Sequence, residues 1–323
     1  MFNDKIVSVF SSVVPDLLFE RLIERHKLVT FLYHVVSNKE LPHIRHLYKY
    51  KSEAQFEKDL DVLLKYYDPF DLSGGFENLS FKSKKPLMIL TFDDGLRECY
   101  EVVAPILKRK GISAIFFINS GFVDNKSLFY RFKVSLIIEN IKSNFPNHIH
   151  EFVNQNLHQS IVYLKSLNYN QTDIIDSILK QLSIDSDDFL DQHKPYMSKE
   201  QILDLKNMGF SIGAHSIDHP DFKNISLGEQ IRQVKESVDY IKEEIGVDYK
   251  YFAFPFSEKG ADNLVYNLAK ERVVDMFFGT SGFNRNGDNY FLQQRISMEF
   301  DNIPLERFLK MRYTVYLIKH FLG

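Results

Sequence analysis

Short runs of apolar and β-branched residues recur along the chain, and between most of them the apolar positions return every three or four residues. LVTFLYH (28–34), PLMILTF (86–92), SAIFFINSG (113–121), SIGAHS (211–216), YFAFPF (251–256), VDMFFGTS (274–281) and RISME (295–299) read as strands. The intervening patterns read as helices with recognisable ends. Ser52 and Gln55 form a capping box ahead of Phe56, Leu60, Leu63, Leu64 and Tyr67, and Ser198 and Gln201 form a second box ahead of a helix that stops at Gly209. A helix over 96–110 stops at Gly111, another opens at Ser226, a third covers 262–270, and the last starts at Pro304. Strand, helix, strand repeated in this way argues parallel βα units, and the number of repeats argues a barrel of parallel strands.

From about 125 to 195 the pattern changes to polar sequence with scattered Ile, Leu and Phe, as in SLIIENIKSNF and QTDIIDSILKQL. The stretch is too long for a plain connection and lacks the Gly, Pro and Ser richness of a flexible linker. It reads as a helical insertion within one catalytic domain spanning 1–323, and it either shapes a site or only packs.

Composition narrows the function classes. A chain of 323 residues with 44% hydrophobic content supports a sizeable core. The net charge of −3 supplies no basic field for nucleic acid, which is not an expected partner. Cys99 is the only cysteine, so neither an intrachain disulfide nor a thiolate zinc cage is available, and the thiol reads as a small buried hydrophobe. Asp16 and Glu20 interrupt the apolar N-terminal stretch, which makes a poor signal peptide. No window approaches the roughly 18 apolar residues of a membrane span. The expected location is the cytoplasm, with peripheral membrane contact through the apolar, mildly basic chain ends as an option.

On a parallel barrel, chemistry gathers where strands end. The polar residues there are His34, Asp93 and Asp94, Asn119, His215 and His219, with Arg295 close to a late strand. In HSIDHP the two histidines lie four apart, but Pro220 disfavours a helix for His219, so the segment reads as a turn. Such a turn either folds both rings toward one point or holds two unrelated loop histidines. Asp-Asp-Gly is likewise either a capping turn or a functional pair. Two imidazoles and one carboxylate make a common ligand set with positions left open, on which a divalent metal lowers the pKa of bound water toward about 7. A second carboxylate beside the ligand can then accept a proton.

These residues resemble the signatures of the NodB-homology polysaccharide deacetylases, a carbohydrate esterase family. T-F-D-D-G stands at Thr91 to Gly95 and H-[ST]-x-x-H at His215 to His219; MSKEQILDLKNMGFSIGAHSIDHPDF looks like the second-motif region, and FAFPFSEKG resembles the third. The resemblance spans about 28–124 and 196–299. It implies a deformed (β/α) barrel of about seven strands that removes N-acetyl, or sometimes O-acetyl, groups from sugars. It also implies Asp93 as general base, Asp94, His215 and His219 as ligands of a divalent metal, most often zinc, and Ser216 as a hydrogen-bonding support of the histidine loop. The tyrosine whose N–H holds the oxyanion in the family corresponds to Phe256, presented by Pro255. A backbone donor survives that change of side chain.

Three features depart from the family pattern. The arginine that pairs with the base is replaced by Ala253, and Arg295 is the candidate substitute; the chain has no tryptophan for the fourth motif; and the late Leu-x-His that supplies the general acid is missing. His34 is the candidate replacement acid, ahead of His320. The expected activity is metal-dependent deacetylation of an N-acetylated oligosaccharide or lipid-linked glycan. The rivals are another metal-dependent amidohydrolase, a facial-triad iron oxygenase, and a carbohydrate-binding pseudoenzyme that keeps the metal without its acid.

Overall fold

Alternation along the strands sorts the apolar residues into two layers. In the computed structural model, which describes residues 15–72, 75–76, 83–144, 156–284, 290–300 and 303–322, the strands are β1 (Leu28–Tyr33), β2 (Asp68–Pro69), β3 (Leu87–Phe92), β4 (Ala114–Ile118), β5 (Ser211–Ala214), β6 (Tyr251–Ala253), β7 (Met276–Phe278), β8 (Leu292–Gln293) and β9 (Arg295–Ser297). Leu87 and Ile89, Ile115 and Phe117, Tyr251 and Ala253, and Met276 and Phe278 form one buried cluster, the barrel interior. Their neighbours Met88, Leu90, Phe92, Phe116, Ile118, Phe252 and Phe277 join a second, larger cluster beneath the helices. This is the period-2 alternation of a sheet covered on both faces.

All pairings are parallel, in the order β8-β7-β6-β5-β4-β3-β1-β9, with β2 added against β3. β8 and β9 stand at opposite ends of that order, yet only Gln294 separates them in the chain. Residues 292–297 therefore join the two edges, and the sheet is a nearly closed barrel. The strands expected from the sequence are present but shorter. The two-residue β2 was not expected, because two residues carry no period.

The helices around the barrel are α1 (Asp16–Ile23), α2 (Glu53–Tyr66), α3 (Ala104–Lys110), α4 (Tyr130–Ser143), α5 (Leu157–Ser166), α6 (Thr172–Gln181), α7 (Ser186–His193), α8 (Lys199–Asn207), α9 (Leu227–Tyr240), α10 (Asp262–Lys270) and α11 (Leu305–Leu322). Both capping boxes form, and the Ser226 side chain caps α9. The helix expected from Leu96 begins after it: Leu96 bridges to Tyr196, and a wider π turn over Cys99–Val103 precedes α3. Gly111 closes α3 at φ 65°, a left-handed conformation that an L side chain adopts only with strain. Helices α4 to α7 lie between β4 and β5, and α4 packs on α5 and α6.

Among the described residues, no helix is long and apolar enough to cross a membrane. The N-terminal stretch read above lies outside them as far as residue 14, as do 145–155 and the side chain of His320.

Register positions the chemistry. Tyr33 pairs with Phe92 and Ile118 with Ala214, so His34 emerges beside Asp93, and Asn119 beside His215. Gly213 of β5 is needed for close approach: a Cβ there would sit 2.5 Å from the Phe117 ring.

Candidate active site

The strand β3 ends in a turn that only certain residues tolerate. The Asp93 N–H donates to the Tyr33 carbonyl at 3.0 Å, continuing the ladder by one residue. Asp94 and Gly95 then both take positive φ, 73° and 64°, so the chain reverses and the two carboxylates diverge. Glycine accepts this conformation freely and aspartate better than most residues, at a cost on the order of 1 kcal/mol.

The histidine loop is strained in the same way and tied from several sides. Ser216 and His219 have φ of 67° and 62°. The His219 N–H donates to Ser216 Oγ at 3.0 Å, the support expected of that serine. Asn119 Nδ2 donates to the His215 carbonyl and lies 3.4 Å from Ser216 Oγ. From α9, Gln233 accepts the Ile217 N–H at 2.9 Å and donates to Asp218 at 2.6 Å. His215 Nδ1 lies 2.9 Å from the Ala253 carbonyl, which can only accept, so Nδ1 carries the proton and Nε2 presents a lone pair.

The two imidazoles and Asp94 converge. Asp94 Oδ1 is 3.5 Å from His215 Nε2 and 3.2 Å from His219 Nε2, and one ligand atom from each of the three residues lies within 4.8 Å of the others. Asp94 Oδ1 is buried and has no hydrogen-bond partner among the described residues. Burial favours the neutral form of His219 and outweighs the pull of Asp94, so its pKa falls below the ordinary histidine value. An orphaned carboxylate oxygen facing two imidazole nitrogens is a donor set that would suit a divalent metal such as zinc.

Asp93 has a different principal partner, and its Oδ2 also lies 3.7 Å from His215 Nε2. Arg295 Nη1 donates to Asp93 Oδ1 at 2.7 Å and Nη2 to Oδ2 at 2.9 Å, while Nε donates to the Gly279 carbonyl at 3.0 Å. The arginine is fully buried in the barrel interior, with its guanidinium 5.4 Å from the Phe117 ring centre. Burial alone would raise the Asp93 pKa; Arg295, then His215, hold it below the ordinary carboxylate value. The position vacated at Ala253 is thus served across the barrel, from β9.

His34 follows β1 and pairs through Nδ1 with Glu299 Oε1, the same oxygen that accepts the His34 N–H at 3.1 Å. Burial would lower the His34 pKa, but the Glu299 carboxylate, with Asp94 and Asp93 behind it, raises it to about 10. Glu299 was missed by sequence reasoning. It lies just beyond β9, at a strand end of the kind that located the other residues. Cys99 is fully buried and its thiol approaches the His34 carbonyl at 3.4 Å, as a small core residue.

Phe256 lines the pocket, whereas Pro255, expected beside it, is buried and is not among the lining residues. Phe256 has φ 56°, its carbonyl accepts from the Thr280 hydroxyl at 3.0 Å, and its ring stands edge-on to His219 at 4.8 Å. Its N–H has no acceptor among the described residues. Buried Glu258 fixes this loop by accepting from Thr280 N–H, the Ser281 hydroxyl and Gln294 Nε2, a role the sequence did not reveal. The resulting cavity of about 460 Å³ brings His34, Asp93, Asp94, His215, His219 and Phe256 together on the face where the strands end. The insertion contributes Phe129, Arg131 and Lys165 to its wall. A larger cleft of about 1010 Å³ at the opposite end of the barrel holds none of these groups.

With this geometry in hand, comparisons with known proteins are informative. The sequence profile of the family described as polysaccharide deacetylase matches residues 81–274, more than half of the chain. No curated protein matches. Among solved structures, the chain is similar to the deacetylase PplD of Streptococcus pyogenes in complex with acetate (TM-score 0.56, 16% identity, covering 88% of this chain and 98% of that one). It is also similar to IcaB from Ammonifex degensii (TM-score 0.55, 17% identity, 89% and 97%) and to a de-N-acetylase from Aggregatibacter actinomycetemcomitans (TM-score 0.50, 16% identity, 86% and 97%). At such identities the structures speak for the fold, and the profile match carries the assignment: this chain belongs to the polysaccharide deacetylase family.

Proposed function

We propose that this protein hydrolyses N-acetyl groups on an amino-sugar glycan or a lipid-linked glycan precursor, using a divalent metal, most naturally zinc. One observation carries the reading: two adjacent aspartates in one pocket differ in their principal partners, Asp94 standing against both imidazoles and Asp93 bound by a buried guanidinium with only His215 of the two near it. Asp94, His215 and His219 would hold the metal, which supplies Lewis-acid polarisation of the acetyl carbonyl and acidifies a water.

The remaining roles belong to the chain's own groups. Asp93, kept ionised by Arg295, takes the proton of the attacking water as its oxygen bonds to the acetyl carbon. The Phe256 N–H donates to the oxyanion as it develops. The carbon–nitrogen bond then breaks while His34, kept protonated by Glu299, delivers a proton to the leaving nitrogen. Acetate and a free amine result. Two of the similar structures, a deacetylase in complex with acetate and a de-N-acetylase, agree in reaction class.

The test is acetate release from N-acetylglucosamine oligosaccharides by protein as purified, after chelation, and after zinc is restored. Release that chelation abolishes and zinc restores is the expected result. Release indifferent to chelation, or none on any N-acetylated oligosaccharide, would refute the proposal.

A further inference from the structure

The wall contributed by the insertion carries charge that the reaction above does not use. Among the described residues lining the cavity, the only carboxylates are Asp93, paired with Arg295, and Asp94, which faces the two imidazoles. Arg131 and Lys165 stand on the same wall, and among the described residues neither pairs with a carboxylate. Nearby cations are neutralised: Arg45 pairs with Glu139 at 3.2 Å and Lys133 with Asp176 at 2.6 Å. In a chain of net charge −3, an unneutralised pair of cations at the mouth of the catalytic cavity is a local reversal of sign.

Arg131 is also badly placed for helix stability. It lies in the first turn of α4, where the helix dipole disfavours a cation and where no acidic residue offsets it. Its Nη1 donates to the Lys165 carbonyl at 2.6 Å, at the end of α5, and its Nε is buried without a partner. A guanidinium offers five N–H donors in a planar fork suited to oxyanions, so most of its capacity remains open. Its Cζ is 5.8 Å from the Phe256 ring centre, and that ring is 4.8 Å from His219. The cation and one residue of the candidate ligand set thus pack against the same aromatic ring.

Accepting the deacetylase reading, we infer that Arg131 and Lys165 form a subsite for an anionic group, phosphate or carboxylate, carried by the target sugar or its immediate neighbour. The insertion would then select a charged glycan over a neutral one.

The test is calorimetric binding of N-acetylglucosamine, its 1-phosphate, its 6-phosphate and N-acetylmuramic acid to the wild type, Arg131→Gln and Lys165→Gln, with acetate release measured in parallel. Arg131→Gln removes the charge but is two bonds too short to keep the hydrogen bond to the Lys165 carbonyl, whereas Lys165 is exposed and its substitution does not threaten folding, so the second variant keeps the test interpretable. At least one anionic sugar should bind the wild type about tenfold more tightly than the neutral one, with the preference weakening in salt. The ratio should fall toward one in Arg131→Gln and by a smaller factor in Lys165→Gln. Preference for the 1-phosphate indicates a precursor linked through its anomeric phosphate, for the 6-phosphate a phosphate-decorated polymer, and for the muramic sugar a carboxylate. Equal binding of charged and neutral sugars by the wild type, or an unchanged ratio in both variants, would overturn the subsite. An intact preference with no acetate released from these sugars or from N-acetylglucosamine oligosaccharides would instead refute the deacetylase reading and leave the subsite standing.

Discussion

The two walls of the cavity are built on different terms. On one, Asp94, Ser216, His219 and Phe256 all sit at positive φ, each in a short turn after a parallel strand. On the other, His34, Glu299 and Arg295 have ordinary backbone, and their partners come from strands remote in sequence. A divalent metal would need its donor atoms placed within fractions of an ångström, and strained turns at Asp94 and His219 would supply that placement locally. Holding a base ionised or an acid protonated needs only a charge of the right sign in a dry place, which any element that reaches can provide. The candidate ligand motifs TFDDG and HSIDH are local, whereas the groups that hold the charge of Asp93 and His34, Arg295 and Glu299, reach in from beyond the barrel closure.

The sharpest break of this comparison is at His34. Replacing it with alanine should lower kcat for acetate release by about 10²- to 10⁴-fold while leaving metal content unchanged. An unchanged rate would remove His34 from the mechanism and with it the functional meaning of the second wall. Next in size is Arg295→Met, which leaves the Asp93 charge buried without its partner. It should cost about 3–5 kcal/mol in denaturant unfolding, and a loss under about 1 kcal/mol would mean that Asp93 is held by other groups.

On the strained wall, Ser216→Ala removes the hydrogen bond that fixes His219 and should weaken metal affinity about tenfold in a competition titration with a chromogenic chelator. Affinity equal to that of the wild type would show that the turn holds itself.

The smallest effect concerns pH. His34 is held protonated to about 10 in the fold against 6.5 as a free side chain. Its pairing therefore stabilises the fold in full below pH 6.5, and the contribution fades as pH rises toward 10. Glu299→Gln withdraws the raising charge, so the alkaline limb of the rate profile should move to lower pH. A limb that stays put would detach Glu299 from the acid.

The same contrast explains what could be read from the sequence. TFDDG and HSIDH are local, so the ligand set was legible as types and spacing, and the strands and capping boxes were legible as periods. Arg295 could be named only as a candidate, because its reach to Asp93 depends on barrel closure through residues 292–297, which no spacing records. Glu299 lies 265 residues from His34 and was invisible for the same reason. The insertion read as helical, but which of its residues face the cavity depends on how α4 and α5 dock. The π turn before α3 and the two-residue β2 are too short to leave a pattern.

The central claim is that adjacent aspartates divide the work, and the most direct test measures bound zinc per chain beside acetate release for Asp93→Asn and Asp94→Ala. The account predicts that Asp93→Asn retains the metal and loses activity, while Asp94→Ala loses both. An Asp93→Asn protein that has lost its metal, or one that remains fully active, would contradict it.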